Sequence, residues 1–165
     1  MPDEASLQAV VAVFQTLDGA SNALQQLKSV WDDVVALKEA AVVVRGADGK
    51  LQIKESHHVA LGAVVGAIVG AVVGLIVGPV APVAAGGAAI GALANRLRDT
   101  GFPDERLKRI GEALTPGTSV LVAIVEPHSV IELERKLRMA AADVTIETVP
   151  VDLASQLEEH SARNP

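Results

Sequence analysis

Apolar positions recur along the chain with more than one period, and the period names the element. Residues 8–16 (QAVVAVFQT) are apolar almost throughout and rich in β-branched side chains, which predicts a central strand. Asp18 follows as a helix cap. From 19 to 34 the residues Ala20, Leu24, Leu27, Trp31 and Val34 fall on one stripe of a helix that should lie on a sheet. Residues 40–45 (AAVVVR) predict a second strand, Asp48-Gly49 a tight hairpin turn, and 51–55 (LQIKE) the returning strand. Further on, Pro103-Asp104 opens a short helix carrying Leu107, Ile110 and Leu114 on one face, stopped at Thr115-Pro116-Gly117. Residues 118–126 (TSVLVAIVE) again read as a buried strand. Ser129 and Glu132 have capping-box spacing ahead of a helix with Val130, Leu133 and Leu137 turned inward. Residues 143–149 (DVTIETV) alternate like a strand with one wet face, and Asp152 caps a last short, charged helix.

One stretch obeys a different rule. Between residues 62 and 78 the sequence GAVVGAIVGAVVGLIVG repeats a four-residue unit, with Gly62, Gly66, Gly70, Gly74 and Gly78 in strict register. On a helix, residues four apart share a ridge, so these glycines form a smooth groove bordered by valine and isoleucine. Such a groove lets a second backbone approach closely, as small-xxx-small helices do in lipid. In water each glycine costs about 1 kcal/mol against alanine, so the helix depends on surroundings that exclude water. Starting at Val59, the apolar run is about 20 residues long, enough for a bilayer. Gly78-Pro79 stops the helix and Pro82 suits the first turn of another, which makes a helical hairpin the expected shape. The returning limb, 79–95, is mostly alanine and glycine and is a weak span alone. The competing reading keeps the hairpin in the core of a soluble assembly, shielded by copies of itself.

Without the insertion the pattern is β-α-β followed by β-α-β. The expected fold class is therefore α+β: a ferredoxin-like split βαβ antiparallel sheet carrying an inserted glycine-zipper apolar helical hairpin. The expected division is 1–58 for the first half of the sheet domain with its β-hairpin extension, 59–95 for the insertion, and 96–165 for the second half with the C-terminal helix. Two helices should cover one face of that sheet. The other face, with no aromatic platform and no basic stripe, reads as open to contacts between subunits rather than to RNA.

Composition narrows the function. Only Phe14, Trp31 and Phe102 are aromatic, so no aromatic belt marks a membrane interface. The chain has no cysteine, which removes disulfides and thiolate metal sites. A net charge of −6 disfavours nucleic acid as a partner. No signal peptide follows the acidic start, so the termini are expected to stay cytoplasmic. Arg45, Lys50 and Lys54 precede the insertion and Arg96, Arg98, Lys108 and Arg109 follow it, as expected for a hairpin entering and leaving from the cytoplasmic side.

Signals for catalysis are absent. The chain carries no phosphate-binding GxxxxGK[ST], HExxH, CxxC or GxSxG, and residues 86–91 (GGAAIG) lack dinucleotide-loop spacing. No acid/base or nucleophile constellation can be assembled, so no enzyme and no cofactor is expected. His57 and His58 form the one histidine pair, and neighbours in an extended strand point to opposite faces. They are weak metal candidates, requiring a ring of subunits around an axis; the plainer reading is two polar residues at the mouth of the hairpin. Trp31 reads first as a packing anchor and second as a ligand contact at the sheet edge.

Three segments together carry a family resemblance: AVVVRGADGKLQIKE (41–55), the glycine repeat ending in Gly78-Pro79-Val80, and GEALTPGTSVLVAIVE (111–126). In these the chain resembles an uncharacterised bacterial family of glycine-rich membrane-type proteins, a domain of unknown function, over residues 8–150. The resemblance implies membrane association and supplies no catalytic residue. Three functions remain open. The first is a non-enzymatic homo-oligomer, packed through glycine zippers in or against the lipid of the cytoplasmic membrane. The second is a soluble cytoplasmic shell or scaffold with the hairpin at subunit contacts. The third is a small-molecule sensor built on the ferredoxin-like part.

Overall fold

The computed structural model describes residues 7–30, 37–56 and 104–149. In chain order these form β1 (Leu7–Phe14), α1 (Gly19–Val30), β2 (Leu37–Arg45), β3 (Leu51–Ser56), α2 (Asp104–Ala113), β4 (Thr118–Val125), a 3-10 turn (Pro127–Ser129), α3 (Val130–Arg138) and β5 (Asp143–Val149). The strands make one five-stranded sheet in the order β3-β2-β4-β1-β5, with each neighbouring pair antiparallel. The class is α+β.

Two uninterrupted apolar runs became β4, the central strand, and β1 beside it. Every residue of β4 is buried, as are Ala9 to Phe14 of β1. A strand with no wet face cannot alternate, and that is why these runs read as continuous apolar sequence. On one face Val10, Ala12 and Phe14 of β1 and Leu121, Ala123 and Val125 of β4 pack with Leu24 and Leu27 of α1 and Leu133 and Leu137 of α3. Of the predicted inward residues, Ala20, Leu24, Leu27, Val130, Leu133 and Leu137 pack in or against this cluster.

The opposite face corrects an expectation. Ala9, Val11, Val13, Val120, Val122 and Ile124 point away from α1 and α3, yet none is more than 2% exposed. The second face is closed within the chain and is no open surface for a neighbouring subunit. α2 is part of that cover. Its Ile110 and the following Leu114 are fully buried but stand apart from the α1/α3 cluster. Arg45, on the second-face register of β2, donates from Nη1 to the Leu114 carbonyl at 2.8 Å. An arginine at a helix C-terminus satisfies a carbonyl that has no partner within the helix.

Turns follow local chemistry. Gly49 has φ +81 in the β2–β3 hairpin and Gly117 has φ +86 ahead of β4, both in the region that favours glycine. Two bulges bend the outer part of the sheet, one between Val42 and Val43 in the β2–β3 register and one between Leu37 and Glu39 opposite β4.

Two predicted caps are replaced. Asp18 accepts the first helical bond of α1 through its backbone carbonyl, from Asn22 N–H at 2.9 Å, while its carboxylate faces Lys54 at 3.6 Å. The side-chain cap comes from β4 instead. The fully buried Ser119 hydroxyl accepts from Ala20 N–H at 3.0 Å and donates to the Thr16 carbonyl at 2.7 Å. The Ser129–Glu132 capping box does not form. Ser129 has helical φ/ψ (−88, −13) at the end of the 3-10 turn and makes no side-chain cap bond. Capping needs extended geometry at that residue, and Pro127 has already begun the turn two residues earlier.

Candidate functional site

Where α1 and α3 lie side by side on the sheet they leave a cleft of about 810 Å³. Small residues on both walls hold it open. Gly19 and Ala23 line it from α1, and Ala140 to Ala142 from the turn after α3. That turn is fixed by Ala141 N–H donating to the Leu137 carbonyl at 2.7 Å and Ala142 N–H to the Val13 carbonyl at 2.8 Å. At the other wall Gly19 sits so close to β1 that an added Cβ would lie 2.5 Å from Phe14 Cβ. A side chain there would drive the start of α1 off the strand.

The floor is apolar: Phe14, Leu27 and Leu137 are each at most 3% exposed and belong to the main core. Around it stand uncharged hydrogen-bonding groups, Gln15, Thr16, Asn22 and Gln26. Ser29 adds a hydroxyl that already donates to the Gln26 carbonyl at 2.9 Å. Among the described lining residues Lys136 is the one charged side chain.

The outer side of α3 is occupied by ion pairs. Arg135 holds both oxygens of Glu132 at 2.7 Å, and Arg138 Nε holds Glu134 Oε1 at 2.8 Å. The Arg135 hydrogen bond keeps the Glu132 carboxyl below the usual carboxylate range. Lys136 approaches the same carboxylate only to 3.8 Å. The cleft offers an apolar bed, amide and hydroxyl partners, and one cation. An apolar bed with a few polar groups around it is the usual make-up of a small-molecule cleft.

Gly62, Gly66, Gly70, Gly74, Gly78, Pro79, Pro82, His57 and His58 lie outside the described residues, as do Trp31 and Val34. Among the described residues no helix is long and apolar enough to cross a membrane. Nor does any group of three or more His, Cys, Asp or Glu stand where it could hold a metal ion, again among those residues. Sequence reasoning missed the cleft because only the small residues at 19, 23 and 140–142 hint at it, and alanine in a helix is unremarkable.

The fold defines the class only as an α+β sheet domain with a cleft between two helices. The chain belongs to a family described as protein of unknown function (DUF1269), whose model matches residues 63–161. The match begins inside the glycine repeat and runs through α2, β4, α3 and β5, leaving out β1 to β3. It establishes neither a glycine-rich nor a membrane character for the family. No curated protein matches the chain, and no solved structure matches it.

Proposed function

We propose that this chain is a non-enzymatic, self-associating protein that oligomerises through glycine-zipper helices in or against the cytoplasmic membrane, both termini remaining in the cytoplasm. The observation that carries the reading is the five-glycine register, Gly62 to Gly78, within a stretch that has no charged side chain from Val59 to Ala94. Its position adds support. The repeat is inserted between β3 and α2 of a sheet whose innermost strands are buried on both faces. We read the order β2-β4-β1-β5, with crossovers through α1 and α3, as the ferredoxin-like split βαβ arrangement, β3 being an added edge strand. The insertion then falls between the two halves and takes the form of a helical hairpin turning at Pro79 and Pro82.

Fractionation of cells expressing the full chain tests this. Recovery in the membrane pellet after alkaline washing, with release by detergent, is the expected outcome. Recovery without detergent as a large soluble particle would replace membrane association with a soluble shell or scaffold.

A further inference from the structure

We propose that the β2–β3 turn is a site of spontaneous backbone modification, at which Asp48 converts through a succinimide into isoaspartate. The sequence has Asp-Gly steps at Asp18-Gly19 and Asp48-Gly49. Such a step is reactive because glycine has no Cβ to shield its nitrogen from the carboxyl carbon of the aspartate before it. The Gly49 nitrogen attacks Cγ of Asp48 in its acid form; a C–N bond forms, and the carboxyl hydroxyl leaves as water with the amide proton. Water then opens the ring. Addition at the side-chain carbonyl restores aspartate. Addition at the main-chain carbonyl leaves the chain running through Cβ and Cγ and frees the α-carboxylate. The net change is an isomerisation, so no oxidant or cofactor enters.

The surroundings set the two steps apart. Asp48 is exposed, and its Oδ1 accepts from Lys50 N–H at 3.1 Å, which folds the carboxyl back over the Gly49 peptide. Gly49 has φ +81, and a Cβ built on it meets no atom of the described residues within 4 Å, so the turn has room to rearrange. Its N–H is tied by a turn bond to the Gly46 carbonyl at 2.9 Å, which must open first. The Asp18 carboxylate instead faces Lys54 at 3.6 Å, and its carbonyl is held by Asn22 N–H at 2.9 Å. Gly19 lies so close to β1 that ring closure there needs the start of α1 to lift off the strand. Isoaspartate at 48 lengthens the main chain by one carbon inside a turn closed by Gly46 N–H to the Lys50 carbonyl at 2.9 Å, and so loosens the hairpin.

The test incubates the full chain in heavy-oxygen water at mildly acid pH, folded and in concentrated urea, then digests it in ordinary water for electron-transfer fragmentation. Each ring opening leaves a heavy oxygen on the aspartate, and fragmentation separates α-linked from β-linked residues. In the folded chain, label and β-linkage should build up at Asp48 about tenfold or more faster than at Asp18, the factor that a modest cost of local opening imposes. In urea, where neither step is held by the fold, the two rates should come within about twofold of each other. Equal rates in the folded chain, faster reaction at Asp18, no label at Asp48, or the same disparity in urea would each overturn the proposal.

Discussion

Ser119 gives the sharpest test of how the helical layer is fastened to the sheet. Its hydroxyl joins two segments about a hundred residues away in sequence, donating to the Thr16 carbonyl at 2.7 Å and accepting from Ala20 N–H at 3.0 Å. Ser119→Ala removes one oxygen from a fully buried site and changes the packing volume very little. Two backbone groups then lose a partner, Ala20 N–H in a buried contact and the Thr16 carbonyl in a part-buried one. Loss of a helix cap costs about 1 kcal/mol, and loss of the part-buried bond to the Thr16 carbonyl, which water reaches, adds about 0.5–1 kcal/mol. Thr16 keeps only a long bond from Gly19 N–H at 3.4 Å, which offsets little. The expected loss is about 1.5–2 kcal/mol. Asp18→Ala is the matched control, because a sequence argument assigns the cap to Asp18. Its carboxylate is exposed and pairs with Lys54 at 3.6 Å, so the change should stay within about 0.5 kcal/mol. Urea unfolding followed by circular dichroism measures both, and amide exchange at Ala20 localises the effect. If Asp18→Ala costs more than Ser119→Ala, the long-range cap is wrong.

Other predictions bear on separate parts of the molecule. Arg45→Gln removes the guanidinium bonds to the Leu114 and Gly49 carbonyls and should cost about 1–3 kcal/mol in the same unfolding assay, with the extra amide exchange confined to α2 and the β2–β3 turn. Gly117→Ala meets no atom within 4 Å, so its cost is purely that of holding φ +86 in a residue with a Cβ, about 1–2 kcal/mol by unfolding. The Glu132 carboxyl should titrate below the usual carboxylate range in an NMR pH series, and Arg135→Gln should return it upward. Because that group is depressed in the folded state, its contribution to stability is present above the ordinary carboxylate pKa and fades as pH falls through the folded value.

How much of this was legible depends on whether the determinant was local. Buried strands announce themselves by uninterrupted apolar sequence, and β1 and β4 were readable for that reason. Asp48-Gly49 marked the hairpin because Gly49 must take φ +81. The stripes Ala20-Leu24-Leu27 and Leu133-Leu137 identified the faces that α1 and α3 turn to the sheet. Failures share a cause of another kind. The strand at 8–16 ends early, at Phe14, because Thr16 turns to meet Gly19 and Ser119. Asp18 looks like a cap in isolation, and only a strand a hundred residues later supplies a better one. The closure of the second sheet face and the cleft between α1 and α3 are likewise products of tertiary packing. No periodicity in one segment reports a gap between two others.

The central claim, that the glycine register exists so that backbones meet where water is excluded, is tested most directly by native mass of the full chain and of Gly70→Leu, each with and without detergent. The account predicts a defined oligomer for the parent in detergent, and for Gly70→Leu a monomer whose sheet domain still gives the parent's circular dichroism. Superimposable masses for parent and variant would contradict it.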